Sequence, residues 1–268
     1  MPPITTGDVV LITGASSGIG LAVARRLAPR GVRLVLAART APALEAAAEG
    51  CRALGAEVLA IPMDVGDASQ CRALVDAAVA RFGRLDALLA NAGITMWAPF
   101  ETIEDLDMAE RIMRVNYLGA VWCAHAALPH LRASRGRLAA VASLAGLTGV
   151  PARSLYAASK HAVRGFFDSL RIELAGSGVS VTIVYPGFVA SGVHARAAGG
   201  DGRPLGASPV REGAIMTVEE CAHLVVDALD RRRRERVMTA RGRLGQWLKL
   251  VAPALVDRVA ARAVTAGR

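Results

Sequence analysis

Val9-Val10-Leu11-Ile12-Thr13-Gly14-Ala15-Ser16-Ser17-Gly18-Ile19-Gly20 decides how the rest of the chain is read. Its first four residues are apolar and three are β-branched, which suits a strand buried on both faces. The glycines that follow are spaced Gly-x-x-x-Gly-x-Gly. Leu21, Val23, Ala24 and Leu27 then recur at helical spacing until Pro29 and Gly31 close the segment. A strand that runs through a glycine turn into a helix is the setting in which a dinucleotide phosphate binds. Gly14 permits the tight turn, Gly18 lets the backbone approach a pyrophosphate, and Gly20 allows close packing of helix on strand. The helix start adds free N–H groups and the positive end of its dipole. A glycine turn alone says little, so its weight depends on what lies downstream.

Downstream, short apolar runs alternate with amphipathic ones. Residues 34–37, 58–61, 87–89, 138–142 and 181–184 read as strands, with 236–239 as a last strand. Residues 43–54, 69–82, about 105–131 and 156–175 read as helices between them. This pattern predicts an α/β fold: a Rossmann-type, doubly wound parallel sheet with helices on both faces. No repeat or low-complexity linker interrupts it, so residues 1–268 are expected to form one domain. A weakly patterned stretch of about 191–216 contains Gly199-Gly200-Asp201-Gly202-Arg203-Pro204 and is expected to be a mobile lid.

Composition narrows the classes. The chain has 268 residues, 53% hydrophobic and only 4% aromatic, enough for a large aliphatic core. Cys51, Cys71, Cys123 and Cys221 are scattered, with no Cys-x-x-Cys pair and no neighbouring histidine cluster. Reduced thiols in a cytoplasmic protein fit this better than a disulfide framework or a metal site. The N-terminus lacks a signal peptide's pattern, and no apolar run is long enough to span a bilayer. The net charge of +9 lies wholly in residues 231–268, with eleven basic and two acidic side chains, while the preceding 230 balance to zero. A neutral body with a basic tail, lacking any nucleic-acid-binding motif, argues against nucleic acid as a partner.

Tyr156 and Lys160 stand four apart, one above the other on a helix face. A tyrosine titrates near ~10, and a neighbouring cation stabilises its phenolate and lowers that value. Basic residues number 32, yet Lys160 and Lys249 are the only lysines. A compact ammonium can bond a ribose hydroxyl and also lie near a phenolate, where a planar guanidinium fits poorly.

These features, with others in the same order, resemble the short-chain dehydrogenase/reductase family from about residue 9 to 189. Thr13-Gly14 through Gly18-Ile19-Gly20, with Ser16 and Ser17 between, match the family's cofactor loop. Asp64-Val65 match the pair that meets the adenine ring, and Asn91-Ala92-Gly93 the segment after the fourth strand, with Ala90 where a further Asn is frequent. Pro186-Gly187, followed by Val189, match the turn beside the nicotinamide, and Ser191 replaces a common Thr. The resemblance implies an oxidoreductase that interconverts a carbonyl and an alcohol. Tyr156 would exchange the proton, Ser143 would hydrogen-bond the carbonyl oxygen, and Lys160 would lower the tyrosine pKa and hold the nicotinamide ribose. Asn116 would anchor a water that links Lys160 to solvent.

Cofactor choice follows from the second strand's end. An acidic residue there would bond the ribose 2′-hydroxyl of NAD. Leu36-Ala37-Ala38-Arg39-Thr40 has none, and Arg39 could clamp a 2′-phosphate, so NADP(H) is expected. Ser17 departs from relatives that carry a second basic residue there.

The chain lacks the glycine-rich ending of 3-oxoacyl carrier-protein reductases. Its ending resembles the hydroxysteroid and retinoid-type dehydrogenases, which implies a bulky lipophilic substrate with Leu147, Val150 and Phe188 as pocket walls. Residues 241–268 form a basic amphipathic tail in which Pro253 must break the helix. Two readings stay open for it: packing on the body or a partner subunit, which is favoured, or lying on an anionic membrane. A homodimer or homotetramer is expected, and Arg231–Arg234 reads as a solvated helix end. A 3-oxoacyl-type reductase, or a non-catalytic NADP(H)-binding regulator or scaffold, remains the alternative.

Overall fold

In the computed structural model, residues 2–210 and 215–265 are described. Seven parallel strands form one sheet: β1 (Val9–Thr13), β2 (Arg33–Ala38), β3 (Glu57–Pro62), β4 (Ala87–Ala90), β5 (Arg137–Val141), β6 (Ser180–Tyr185) and β7 (Glu235–Val237). Their order is β3-β2-β1-β4-β5-β6-β7. The order reverses direction between β1 and β4, which pair through Val10–Ala87, Leu11–Leu88 and Ile12–Leu89. A crevice opens at such a point beyond the strands' carboxyl ends.

Parallel strands need crossovers, and the helices supply them on both faces. Helices α1 (Gly18–Leu27), α2 (Ala41–Ala53) and α7 (Val218–Asp230) bury Val23, Leu44 and Val225 against one face, with Val10 and Leu34. Helices α3 (Ala68–Phe82), α5 (Gly119–Ser134) and α6 (Ser154–Glu173) cover the other, packing Leu74, Ala127 and Phe167 against Leu11 and Leu138. The doubly wound parallel sheet expected from the sequence is present.

Local details differ from the sequence reading. The helix expected around 105–131 is α4 (Asp107–Met113), a π-helical turn (Arg114–Leu118) and then α5. Helix α7 was not foreseen, although Thr217 and Glu220 form a complete capping box at its start. The basic run at 231–234 is not simply solvated. Arg232 adopts a positive φ of 48° and donates hydrogen bonds to the carbonyls of Arg135, Gly136 and Gly178. It thereby ties α7 to the loops that lead into β5 and β6.

Pro253 breaks the tail as expected, giving α8 (Ala240–Val251) and α9 (Pro253–Thr265). Within the single chain the tail's apolar residues pack on the body only in part: Val256 is buried and Leu248 half-buried. Trp247, Leu250 and Val251 are 70%, 75% and 81% exposed, and Leu244, Leu255 and Val259 are also open. Lys249 nevertheless anchors α8 by donating to the Leu147 carbonyl at 3.0 Å. Among the described residues no helix is long and apolar enough to cross a membrane.

Candidate active site

The carboxyl ends of β1, β4, β5 and β6 open into a cleft of about 470 Å³. One end is built by the glycine turn. Gly14 has φ +65°, and a Cβ there would lie 2.8 Å from the Ala92 Cα. A Cβ on Gly20 would lie 2.4 Å from the Gly14 oxygen, so any side chain would push helix α1 off its strand. Gly18 (φ +56°) sits at the mouth of α1, where Ser17 makes no side-chain cap. The first N–H groups of that helix are therefore not taken up by a capping side chain, as an anion site requires. Ser16, Ser17, Gly18 and Ile19 line the cleft here, whereas Gly20 acts only by allowing close approach.

Asn91 holds this turn in place. Its side-chain amide donates to the carbonyls of Thr13 (2.9 Å) and Gly14 (3.2 Å), while its N–H and that of Ala92 donate to the Thr13 hydroxyl. Arg39, Asp64 and Val65 bound the cleft at the ends of β2 and β3, with Asp64 accepting from the Gly66 N–H. Arg196, from the stretch expected to be a lid, reaches back to the Ser17 hydroxyl at 3.5 Å and the Ser191 carbonyl at 3.4 Å. The position at Ser17, which lacks a basic side chain in sequence, thus receives one from 179 residues away. Four cations (Arg39, Arg153, Lys160 and Arg196) border the cleft against the single carboxylate of Asp64. These residues, the bare helix start and the Cβ-free cradle fit the phosphates of a dinucleotide.

The other end carries the polar triad. Ser143 ends β5, and its Oγ accepts from the Ala145 N–H in a single helical turn (Leu144–Gly146). A Cβ at Gly146 would lie 2.7 Å from the Lys160 carbonyl oxygen, so glycine lets this turn press against α6. Ser143 and Tyr156 border the cleft together at this end. Lys160 is buried, donates from Nζ to the Val141 carbonyl at 2.8 Å and stands 5.8 Å from the centre of the Tyr156 ring. Burial acts to raise the phenol's pKa. Lys160, Arg153 and the hydrogen bonds to Ser143 and Arg153 outweigh it, so Tyr156 titrates below the usual tyrosine value. Burial and Arg153 lower the Lys160 pKa against the pull of Tyr156. Pro186, Gly187 and Val189 wall the cleft between its two ends, with Gly93 opposite.

Asn116 lies off this cleft, inside the π-helical turn, a feature that often marks functional positions. Its Oδ1 accepts from the Ile94 N–H at 2.8 Å, and its amide donates to the Ile94 carbonyl and the Ser159 hydroxyl. It makes no direct hydrogen bond to Lys160. It fixes the segment that follows Gly93 against the helix carrying Tyr156 and Lys160.

Three side chains in this chamber escaped the sequence reading. Arg153 donates to the Thr95 hydroxyl at 2.6 Å and stacks 4.3 Å above the Tyr156 ring. His194 is buried with its ring edge-on to Phe188 at 5.4 Å. Arg153 lies one helical turn before Tyr156, a spacing that could have flagged it, whereas nothing in sequence marks Thr95 or His194. Of the expected walls, Phe188 stacks at 6.1 Å from Trp97, while Leu147 belongs to the hydrophobic core. The loop carrying these groups is tied across the site, with Ala198 exchanging backbone hydrogen bonds with Thr95 and Trp97. Residues 211–214 of the expected lid lie outside the described residues.

A family model described as short chain dehydrogenase matches residues 8–200. The 11-beta-hydroxysteroid dehydrogenase-like 4A of Arabidopsis thaliana is 39% identical over 254 residues, spanning 93% of this chain and 82% of that protein. The 11-beta-hydroxysteroid dehydrogenase A of Sesamum indicum is 38% identical, spanning 94% and 74%. A crystal structure of a short chain dehydrogenase/reductase from Burkholderia phymatum in complex with NAD superposes with a TM-score of 0.82. It is 28% identical, with 93% of this chain and 95% of that one covered.

Proposed function

The chain belongs to the short-chain dehydrogenase family, and from that premise we propose that it is an NADP(H)-dependent oxidoreductase interconverting a ketone or aldehyde and an alcohol. The observation that carries this reading is the meeting of Ser143, Tyr156 and Lys160 at one end of a cleft whose other end is a phosphate cradle. The bound nicotinamide supplies or accepts the hydride.

The protein's own groups handle the proton. In reduction the Tyr156 hydroxyl gives its proton to the nascent alkoxide oxygen, and in oxidation the phenolate takes it back. Ser143 Oγ donates to the same oxygen and fixes its position. Lys160, held by the Val141 carbonyl, stabilises the phenolate and lies within the cleft for a ribose hydroxyl. Asn116 positions that helix through Ser159. Arg39 and Arg196 favour a 2′-phosphate, because two guanidiniums bordering the adenosine side of a cleft gain from the extra charge. The aromatic and apolar surroundings of Tyr156 suit a lipophilic carbonyl compound, as the hydroxysteroid dehydrogenase names of its relatives also suggest. The working protein is taken to be a cytoplasmic homodimer or homotetramer.

A fluorescence titration with NADPH followed by a panel of aliphatic, aromatic and steroidal carbonyls tests the reading. Saturable binding with NADPH oxidation on at least one carbonyl is expected. Tight binding with no oxidation on any of them would make the protein a cofactor-binding scaffold instead.

A further inference from the structure

A buried arginine with no carboxylate partner needs a counter-charge, and the substrate chamber contains one. Arg153 is only 5% exposed. Long cationic side chains are almost never buried this deeply unless paired, since an uncompensated charge in the interior is strongly destabilising. Its surroundings are the Thr95 hydroxyl and the ring faces of Tyr156, Trp97 and Phe188 at 4.3, 5.5 and 5.7 Å. Its Nε has no hydrogen-bond acceptor within the protein. Asp64 is the one carboxylate bordering the cleft, and among the described residues no ion pair joins an acid to Arg153 or Lys160.

His194 repeats the pattern. It is 4% exposed and borders the same cleft, yet neither ring nitrogen has a partner within the protein. Buried imidazoles and guanidiniums are ordinarily satisfied. A guanidinium with its Nε unpaired and an imidazole with neither nitrogen paired, both bordering one chamber, mark a ligand group, and their chemistry is that of donors to an anionic oxygen. The backbone also strains to present Arg153: Ala152 before it has φ +59°, a left-handed conformation uncommon for alanine.

We propose that Arg153 and His194 form a carboxylate-binding subsite, and that the natural substrate is a lipophilic oxo acid, or the matching hydroxy acid, whose carboxylate lies within a bond or two of the reacting carbon. The short spacing follows from geometry: the guanidinium carbon lies 4.3 Å from the centre of the Tyr156 ring, whose hydroxyl must also reach the carbonyl oxygen. Trp97 and Phe188 supply the apolar surface for the remainder of the molecule. This deepens the oxidoreductase reading and rests on it for the position of the carbonyl.

The test is calorimetric and needs no turnover. The full chain saturated with NADP+ is titrated with benzoylformate and, separately, with its methyl ester, which keeps the ring and ketone but lacks the charge. The acid is expected to bind at least tenfold more tightly, and Arg153→Met to reduce that preference below about threefold. Arg153→Lys should retain part of it. Equal affinities in the wild type, preference for the ester, or binding of neither would overturn the proposal and leave the Tyr156 phenolate as the counter-ion of Arg153. The wild-type pair decides even if the variants do not fold. Preference for the acid with no NADPH-dependent reduction of any carbonyl would uphold the subsite and sink the oxidoreductase reading. Reduction of carbonyls with preference for the ester would do the reverse.

Discussion

The two ends of the cleft are built by opposite means. At the phosphate end the backbone does most of the shaping: three glycines, a bare helix start and the Asn91 bridge leave few side chains to choose. At the substrate end side chains from four separate segments converge (Thr95, Ser143, Arg153–Lys160 and His194), and the Arg153 Nε and both His194 ring nitrogens lack partners within the protein. A backbone cradle serves any chain that keeps its glycines, whereas a chamber of side chains is where one enzyme differs from its relatives.

The largest effect should come where the two ends meet. Tyr156→Phe removes the proton but little volume. Turnover of the best carbonyl should fall by about 100- to 10,000-fold while NADPH affinity, read by fluorescence titration, stays within about twofold. Loss of both together would mean that the ends are not separable. The lowered phenol pKa adds a sign to this. Oxidation of alcohol, which needs the phenolate, should rise with pH through a pKa below the usual tyrosine value, and reduction should fall through it.

A smaller and more selective change belongs to the phosphate end. Arg39→Asp should lower the NADPH-to-NADH ratio of kcat/KM by about 10- to 100-fold, the range expected for a charge-assisted hydrogen bond. An unchanged ratio would remove Arg39 from the 2′-phosphate and leave Arg196 as its candidate.

The gentlest change concerns stability at the substrate end. Burial and Arg153 hold the His194 pKa down at about 4. Because the unfolded chain takes up this proton first, stability should decline as pH falls from about 6.5 to about 4, by at most about 3 kcal/mol. His194→Gln should flatten that part of a plot of melting temperature against pH. A slope as steep as the wild type's would assign the acid sensitivity to other groups.

The same contrast explains what could be read from sequence. Gly14, Gly18 and Gly20 announce the turn because glycine at fixed spacing is a statement about backbone geometry. Most strands were legible because each holds a short apolar run, as residues 34–38 of β2 do, whereas β7, with Glu235 and Arg236, has none. Arg153 and His194 were not, since an arginine before a helix and a histidine in an irregular stretch look like surface residues until the fold turns them inward. Arg196 shows the same limit: the cation absent from position 17 is supplied by a loop far along the chain. Helix α7 is a different case, because its capping box at Thr217 and Glu220 was present to be read.

The sheet's two margins carry a consequence for how these molecules coexist at high concentration. An open sheet border is a template for strand addition by a neighbouring chain. Here one border strand, β7, has only three residues, two of them charged (Glu235 and Arg236). The other, β3, begins at Glu57 under the guanidiniums of Arg33 and Arg81 and ends at Pro62, which has no N–H to offer. Charge and proline blunt both borders, so edge-to-edge aggregation is disfavoured.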